Sequence, residues 1–250
     1  MTGTASAQLF LEEGKKVLAV SGGDHLEGSL LIHNTGSDTA SMKVYWEDFQ
    51  YNAPYDGTKK FLPAGTLPGS MGTWVSFTPQ VFTMPGFGQQ KINYSITIPA
   101  TVHEGHYGVL FFERAPAPME GKEDIGIAER VGCLFFIEPK DKNKNALLQN
   151  ITTQDRTVAL DFVNQGNIIL IPHTTYYVMP DNGMVLKRGD VNKAYVPPGA
   201  SANIKIELKD KLNPGHYTLV VNSDLDEGDV VVKEIGLDAD ASGHLSTSKS

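Results

Sequence analysis

The sequence predicts an all-β protein that consists of two tandem immunoglobulin-like β-sandwich domains. Three observations support this prediction. Many short segments alternate apolar and polar residues, turn sequences rich in glycine and proline separate them, and one ordered set of segments occurs twice. With 250 residues, of which 40% are hydrophobic, the chain can enclose sizeable cores.

The alternating segments are rich in β-branched and aromatic residues, which favour strands. In chain order they are KVLAV, SLLIHN, MKVYWEDF, KINYSITIP, YGVLFFE, VGCLFFIE, TVALDFVN, IILIPHTTYYV, NIKIEL, YTLVVN and DVVVKEI. Between them lie turn sequences such as SGGD, NTGSD, MPGFG, NQGN, PDNG, PPGA and DEGD. Their spacing of roughly eight to twelve residues is typical of a β-sandwich. No segment has a convincing helical stripe of apolar residues.

The second half of the chain repeats the order of the first half. Each half has an apolar strand ending in Asn-x-Gly, then a Pro-Gly turn before an alternating strand, then Gly-His-Tyr opening another strand. Each copy has enough strands to enclose its own core, so the repeat predicts two copies of one domain and not a solenoid. We predict domains at residues 8–138 and 145–238, joined by the polar sequence EPKDKNKN and followed by a flexible tail at 239–250.

The two Gly-His-Tyr sequences have a structural interpretation. In immunoglobulin-like domains a tyrosine near the start of strand F folds its ring under the preceding turn, and its hydroxyl bonds a backbone group upstream. Tyr107 and Tyr217 are predicted to form this tyrosine corner. Strand alternation then predicts that His106 and His216 face the solvent.

Composition excludes several classes of function. The net charge is −8 and no basic patch occurs, which argues against nucleic-acid binding. The single cysteine, Cys133, excludes an intrachain disulfide, and its apolar neighbours predict a buried thiol. No apolar run is long enough to span a bilayer.

Two sequences deserve consideration as metal sites. His103 and His106 have a His-x-x-His spacing, but the glycine between them lies in a turn before a strand, which disfavours a shared metal. The acidic residues of 224–229 suggest a calcium loop, although a solvated hairpin turn is the preferred interpretation because the distal glutamate of an EF-hand is missing. We therefore predict no metal and no cofactor.

No catalytic site is predicted, and the chain is expected not to be an enzyme. It has neither a Gly-x-Ser-x-Gly elbow nor a glycine-rich phosphate loop before a helix. Glu47 and Asp48 would point to opposite faces of a strand, so they are interpreted as acidic residues ending an edge strand.

Two stretches are candidates for binding. The long segment KKFLPAGTLPGSMGTWVSFTP is either a binding loop or a cap held on the sandwich by Phe61, Leu62 and Trp74. The stretch 113–139 contains a proline-rich loop and then an alternating strand that carries Ile125, Ile127 and Val131 on one face. If this strand lies at a sheet edge it can accept a strand of another protein, and if it is paired on both sides it is core.

Together these features resemble the periplasmic chaperones of pilus assembly, which also have two immunoglobulin-like domains. In that family a loop with arginine and proline, called F1–G1, leads to an alternating G1 strand that ends in an apolar-aromatic run and proline. The matching residues here are Arg114, Pro116 and Pro118, then Ile125 and Ile127, then the sequence LFFIEP. The likeness covers both domains in layout and is most specific from about Lys16 to Pro139.

The resemblance implies a function and a set of partner-binding residues. In the family, the G1 strand completes an unfinished pilin subunit, and basic residues in the interdomain cleft hold the carboxylate at the C-terminus of that subunit. Lys15 or Lys16 matches the basic residue of the first strand. The position of the lysine on G1 falls near Cys133, and the nearest cation, Arg130, lies on the other face of the strand.

The expected function is therefore an exported, chaperone-like module whose G1 edge, around residues 125–131, pairs with a strand of a protein partner. The chain also resembles bacterial exported proteins with tandem fibronectin-III-like domains, which implies a structural or adhesive protein of the cell surface as the alternative. A calcium-rigidified adhesin is a third hypothesis. Either location, periplasmic or extracellular, agrees with Ala5-Ser6-Ala7, which has the form of a signal-peptidase site but lacks a preceding apolar segment. A disordered tail is the other interpretation.

Overall fold

The computed structural model describes residues 8–115 and 128–248. All regular elements in these residues are β-strands, and they form two compact units. The first unit comprises the described residues up to Gln50 and those of Lys60–Asp141; the second comprises Tyr51–Lys59 and the described residues from Lys142 onward. The predicted all-β class is confirmed. The second unit includes residues 51–59, which the sequence did not indicate.

The first unit is a sandwich of two sheets. Its strands are β1 (Leu9–Leu11), β2 (Lys15–Val20), β3 (His25–Asn34), β4 (Ala40–Tyr51), β5 (Lys59–Pro63), β6 (Val75–Thr78), β7 (Val81–Met84), β8 (Gln89–Thr97), β9 (His106–Arg114) and β10 (Glu129–Pro139). A four-stranded sheet has the order β1-β3-β8-β6, and a six-stranded sheet has the order β2-β10-β9-β4-β5, with β7 also paired to β4. The last residue of β4, Tyr51, and the first residue of β5, Lys59, belong to the second unit.

Side chains that alternate along the strands fill the space between these sheets. In the six-stranded sheet, Leu110 and Phe112 of β9 and Cys133 and Phe135 of β10 belong to the core. The residues between them point to the opposite side, which we call the outer face of this sheet. Tyr94 of β8 packs edge-on against Phe135 and fills the space left by Gly28 of β3.

The second unit has a smaller number of strands and a core of its own. Its strands are β11 (Ala146–Gln154), β12 (Thr157–Asn164), β13 (His173–Pro180), β14 (Lys187–Asp190), β15 (Ser201–Glu207), β16 (Gly215–Asp224), β17 (Val230–Ala239) and β18 (Leu245–Thr247). A three-stranded sheet has the order β11-β12-β15, and a five-stranded sheet has the order β14-β13-β16-β17-β18. Phe162, Ile204, Leu219 and Leu237 are among the residues of the core.

The internal repeat is visible in two buried asparagines. The side-chain amide of Asn34 donates to the carbonyls of Asp38 at 2.7 Å and Pro85 at 3.0 Å, and that of Asn164 donates to Ile168 at 2.8 Å and Val196 at 2.7 Å. Each asparagine also accepts a backbone N–H two residues later, from Gly36 or Gly166. The Asn-x-Gly of each half thus joins two turns of its own unit.

The two Gly-His-Tyr sequences differ by one residue in register. Tyr217 pairs with the core residue Leu237, is buried, and donates its hydroxyl to Asn213 O at 2.9 Å, as predicted for a tyrosine corner. Tyr107 pairs with Phe136 on the outer face, where its ring contacts Phe136 at 5.1 Å between centroids. A one-residue shift moves every side chain of a strand to the other face.

This shift corrects one prediction about the histidines. His106 is half-buried, bonds Gly69 O at 3.0 Å and lies 4.5 Å from the Trp74 ring. The prediction that it faces the solvent is therefore wrong. His216 is exposed, as predicted, and pairs with Asp238.

Residues 239–250, predicted to be a flexible tail, include β18. This strand pairs with β17, and Leu245 is buried in the core of the second unit. Apart from Ala239, Ala241 and Leu245 the segment consists of glycine and polar residues, so its sequence shows little of the alternation that identifies a strand. Within residues 8–115 and 128–248 the chain forms no helix capable of crossing a membrane.

Candidate functional site

The strand predicted to bind a partner, β10, is only partly covered by its neighbours. It pairs with β9 from Glu129 to Ile137, but its parallel pairing with β2 begins at Leu134. In the described part of the chain, residues 129–133 are paired with no strand on that second side, although β1 lies close by, and we call this segment the β10 edge.

The direction of the backbone groups follows from one hydrogen bond. The N–H of Leu134 donates to Gly14 O at 3.0 Å, on the side of β2. Successive residues of a strand direct their N–H and C=O groups to opposite sides, so those of Gly132 and Arg130 point to the same side as those of Leu134. In the β10 edge, the backbone N–H and C=O groups of Arg130 and Gly132 therefore point away from β9.

The β10 edge exists because the chain changes sheets between β1 and β2. Strand β1 pairs with β3 in the four-stranded sheet, whereas β2 pairs with β10 in the six-stranded sheet. Side chains hold the start of β1 near β10: the Glu129 carboxylate accepts the N–H of Gln8 at 2.8 Å and of Leu9 at 3.1 Å, and Arg114 donates to the Gln8 side chain.

The structure separates the residues predicted to bind a partner. Ile125 and Ile127 lie outside the described residues. Val131 is half-buried and packs against the core of the first unit, so at this position the side chain belongs to the sandwich.

Arg130 lies on the outer face of the six-stranded sheet, as strand alternation predicts. Its guanidinium lies 4.2 Å from the centroid of the Phe111 ring, donates to the Tyr45 hydroxyl at 3.3 Å and is 3.7 Å from the Glu47 carboxylate. The hydrogen bond with Tyr45 raises the pKa of Arg130. Arg130 is thus a fixed cation beside aromatic rings.

The two lysines of β2 point to opposite faces. Lys15 is exposed on the outer face, with its ammonium 4.2 Å from the centroid of Phe136. Lys16 is half-buried and pairs with Glu13; burial lowers the pKa of Lys16, but the contact with Glu13 raises it and the net direction is upward. Lys15 pairs with Leu134 of β10, which is four residues from Arg130. Four residues of a strand span about 13 Å, so Lys15 and Arg130 do not form a single site.

The predicted buried thiol is confirmed. Cys133 is buried in the core, and burial raises its pKa to about 12. A thiol with so high a pKa is unreactive at neutral pH.

Sequence reasoning missed a buried carboxylate within β4. Asp48 is fully buried and accepts hydrogen bonds from Thr66 N at 3.1 Å, Leu67 N at 3.2 Å and the Ser70 hydroxyl at 2.6 Å. The interpretation of Glu47 and Asp48 as the end of an edge strand is wrong, because β4 has strands on both sides. A buried acid in a strand is recognised only when the loop that it binds is known.

The contacts of Asp48 also favour one of the two interpretations of the long segment 59–79, which begins with β5. Phe61 packs against Phe111 with ring centroids 5.1 Å apart, and Met71 is fully buried in the core. Trp74 also packs against that core. The segment is therefore a cap on the first unit, held by Asp48 and by apolar side chains.

A lysine from the segment before β11 lies against the acidic turn 224–229 of the second unit. The Lys144 side chain is almost completely buried; its ammonium donates to Leu225 O and Asp226 O at 2.9 Å and lies 2.9 Å from the Glu227 carboxylate. Lys142 pairs with the same carboxylate at 3.0 Å, and these contacts lower the pKa of Glu227. In the described residues no three His, Cys, Asp or Glu side chains are grouped to hold a metal.

We expect Lys144→Met to destabilise the second unit by about 2 kcal/mol, because two carbonyls lose their donor in a poorly hydrated position. Urea unfolding followed by circular dichroism measures the loss. Lys142→Met is the matched control and should have a smaller effect; equal effects would show that the carbonyl contacts contribute nothing.

Calcium should leave the unfolding midpoint of the unmodified protein unchanged, since the Lys144 ammonium already lies against the turn.

Comparisons with known proteins agree with this architecture. No protein-family model matches the chain, and no curated protein matches its sequence. A solved structure described as a chaperone–tip adhesin complex vital for activation of CFA/I fimbriae biogenesis has 14% identity and a TM-score of 0.58, and covers 91% of this chain and 98% of its own. The class 5 fimbriae chaperone CfaA has 10% identity and a TM-score of 0.57, and covers 90% and 98%. The chain therefore has the two-domain immunoglobulin-like fold of these fimbrial chaperones.

Proposed function

We propose that this protein is a non-enzymatic, exported chaperone of fimbrial or other surface-structure assembly. Its β10 edge pairs with a strand of a subunit that lacks a strand of its own. The observation that carries the proposal is the one-sided pairing of residues 129–133, in a chain with the fold of fimbrial chaperones.

Backbone hydrogen bonds supply the affinity in this proposal. The N–H and C=O groups of Arg130 and Gly132 point away from β9, and an added strand would pair with them. Ile125 and Ile127, apolar residues that precede Glu129 in the sequence, would supply the selectivity. The described side chains of the segment are already engaged, since Val131 packs in the core and Arg130 on Phe111.

A pair of substitutions at one position tests whether strand pairing is used. Arg130→Pro removes the outward N–H, and Arg130→Ala removes only the side chain. Both variants keep the hydrogen bonds of β10 to β9, because the N–H at position 130 points away from that strand, and edge strands tolerate proline. We expect both to fold, with unfolding temperatures within a few degrees of each other.

The readout is co-purification of a subunit from a periplasmic extract, with the captured protein identified by mass spectrometry. We expect Arg130→Ala to retain the subunit and Arg130→Pro to lose at least nine-tenths of it. Retention by both variants would contradict strand pairing at this edge. Loss by both would assign the binding to the guanidinium and not to the backbone.

A further inference from the structure

Phe87 is an aromatic residue in an exceptional position on the first unit. Its side chain is 77% exposed, the highest value among the large apolar side chains of the described residues. It lies at the tip of the turn between β7 and β8. Single exposed apolar residues are common on protein surfaces, so exposure alone indicates nothing.

The backbone at Phe87 provides an independent observation. Its φ is 57°, in the left-handed region, at the third position of a turn closed by Gly88 N–H to Pro85 O at 3.0 Å. Glycine or asparagine usually occupies this position, because a bulky side chain is strained there. The protein therefore maintains an exposed phenylalanine at a cost in stability, and such strain is concentrated at functional positions.

The turn that carries Phe87 is held firmly. The N–H of Phe87 donates to Gly36 O at 2.9 Å, and the Asn34 side chain donates to Pro85 O at 3.0 Å. Gly86 packs so closely on the Ser37 carbonyl that a Cβ would not fit between them. A ring on a rigid turn loses little conformational freedom when it binds.

The same contacts connect this turn with the β10 edge. The residue after Asn34, Thr35, donates its N–H to Gln8 O at 2.7 Å. Gln8 in turn donates its N–H to the Glu129 carboxylate at 2.8 Å, at the start of the β10 edge. Phe87 and the β10 edge are thus joined at one end of the first unit through the loop after β3.

A second aromatic residue and a polar rim complete the surface. Phe10 of β1 is 55% exposed and packs against His33, with ring centroids 5.8 Å apart. His33 also bonds the Glu12 carboxylate at 2.9 Å and pairs with Gln89, two residues after Phe87. Apolar anchors surrounded by polar groups are typical of the centres of protein interfaces.

We propose that Phe87 is an aromatic anchor that inserts into an apolar cavity on the same subunit that pairs with the β10 edge. This inference rests on the proposed function and adds a second point of contact to it. Strand pairing depends on the backbone and is generic, whereas the ring at position 87 would select subunits that have a cavity of matching size.

The test uses Phe87→Gly, because glycine relieves the strain that phenylalanine causes at this φ. We expect the unfolding temperature of this variant to equal or exceed that of the unmodified protein. The Kd for the purified subunit, identified by capture with the unmodified chain, should rise at least tenfold. Val81→Ala is the control at another highly exposed apolar residue and should leave the Kd unchanged.

The outcomes separate this inference from the proposed function. If Arg130→Pro loses the subunit while Phe87→Gly binds it normally, the anchor is disproved and strand pairing stands. If Phe87→Gly weakens binding but also unfolds at a lower temperature, Phe87 is a structural residue and the inference fails. A change in self-association with an unchanged Kd would assign Phe87 to a contact between two copies of this chain and would also overturn it.

Discussion

Asp48→Ala is expected to lower the free energy of unfolding of the first unit by about 3 kcal/mol. This is the summed cost of leaving several hydrogen-bond donors without their acceptor, reduced because water reaches some of them. The carboxylate accepts two backbone N–H groups and one hydroxyl of the cap that follows β5. Without it, Thr66, Leu67 and Ser70 lose their common acceptor, and the cap loses its polar attachment. The apolar contacts of Phe61 and Met71 remain.

Tryptophan fluorescence during urea unfolding measures this effect in one unit alone. Both tryptophans of the chain, Trp46 and Trp74, lie in the first unit. Glu47→Ala is the matched control: Glu47 is the neighbouring acid, only partly buried, and its ion pair with Arg130 spans 3.7 Å, so a change below about 1 kcal/mol is expected. Similar losses for Asp48→Ala and Glu47→Ala would contradict the special role of the buried carboxylate.

Asn164→Leu should destabilise the second unit by about 4 kcal/mol. Leucine has nearly the same size, but it leaves the carbonyls of Ile168 and Val196 and the N–H of Gly166 without their partner. Each buried polar group that loses its hydrogen bond costs about 1–3 kcal/mol. Urea unfolding followed by circular dichroism should show a transition at lower denaturant concentration.

The repeat supplies the matched variant for this experiment. Asn34→Leu removes the corresponding contacts from the first unit and should shift the transition seen by tryptophan fluorescence. Asn164→Leu should move the part of the circular dichroism transition that tryptophan fluorescence does not report, and should leave the fluorescence transition in place. Equal shifts of the fluorescence transition for both variants would show that the asparagines do not act each on its own unit.

Many of the strands and their sequence along the chain could be predicted, because alternation and turn residues are local features of the sequence. Alternation along residues such as 89–97 or 201–207 shows directly which side chains face the core, and Asn-x-Gly is the same chemistry in both halves. Register is a property of two strands, and the sequence around Tyr107 does not show that its partner is Phe136 on the outer face. For the same reason the burial of His106 was not predicted.

The candidate site was predictable only in part. The sequence identified β10 as a strand with one face in the core, and alternation placed Arg130 opposite Cys133. It did not show where β2 stops pairing, because that depends on where the chain leaves one sheet for the other near Gly14. The strain at Phe87 was likewise not apparent, since MPGFG reads as an ordinary turn.

Lys144 supplies the acidic turn with a positive charge from the protein itself. A β-domain that binds a metal ion in such a turn becomes more or less rigid as the concentration of that ion changes. Here the positive charge is part of the polypeptide and arrives with the chain during synthesis. The conformation of this turn should therefore be the same with a chelator and with an excess of divalent cations.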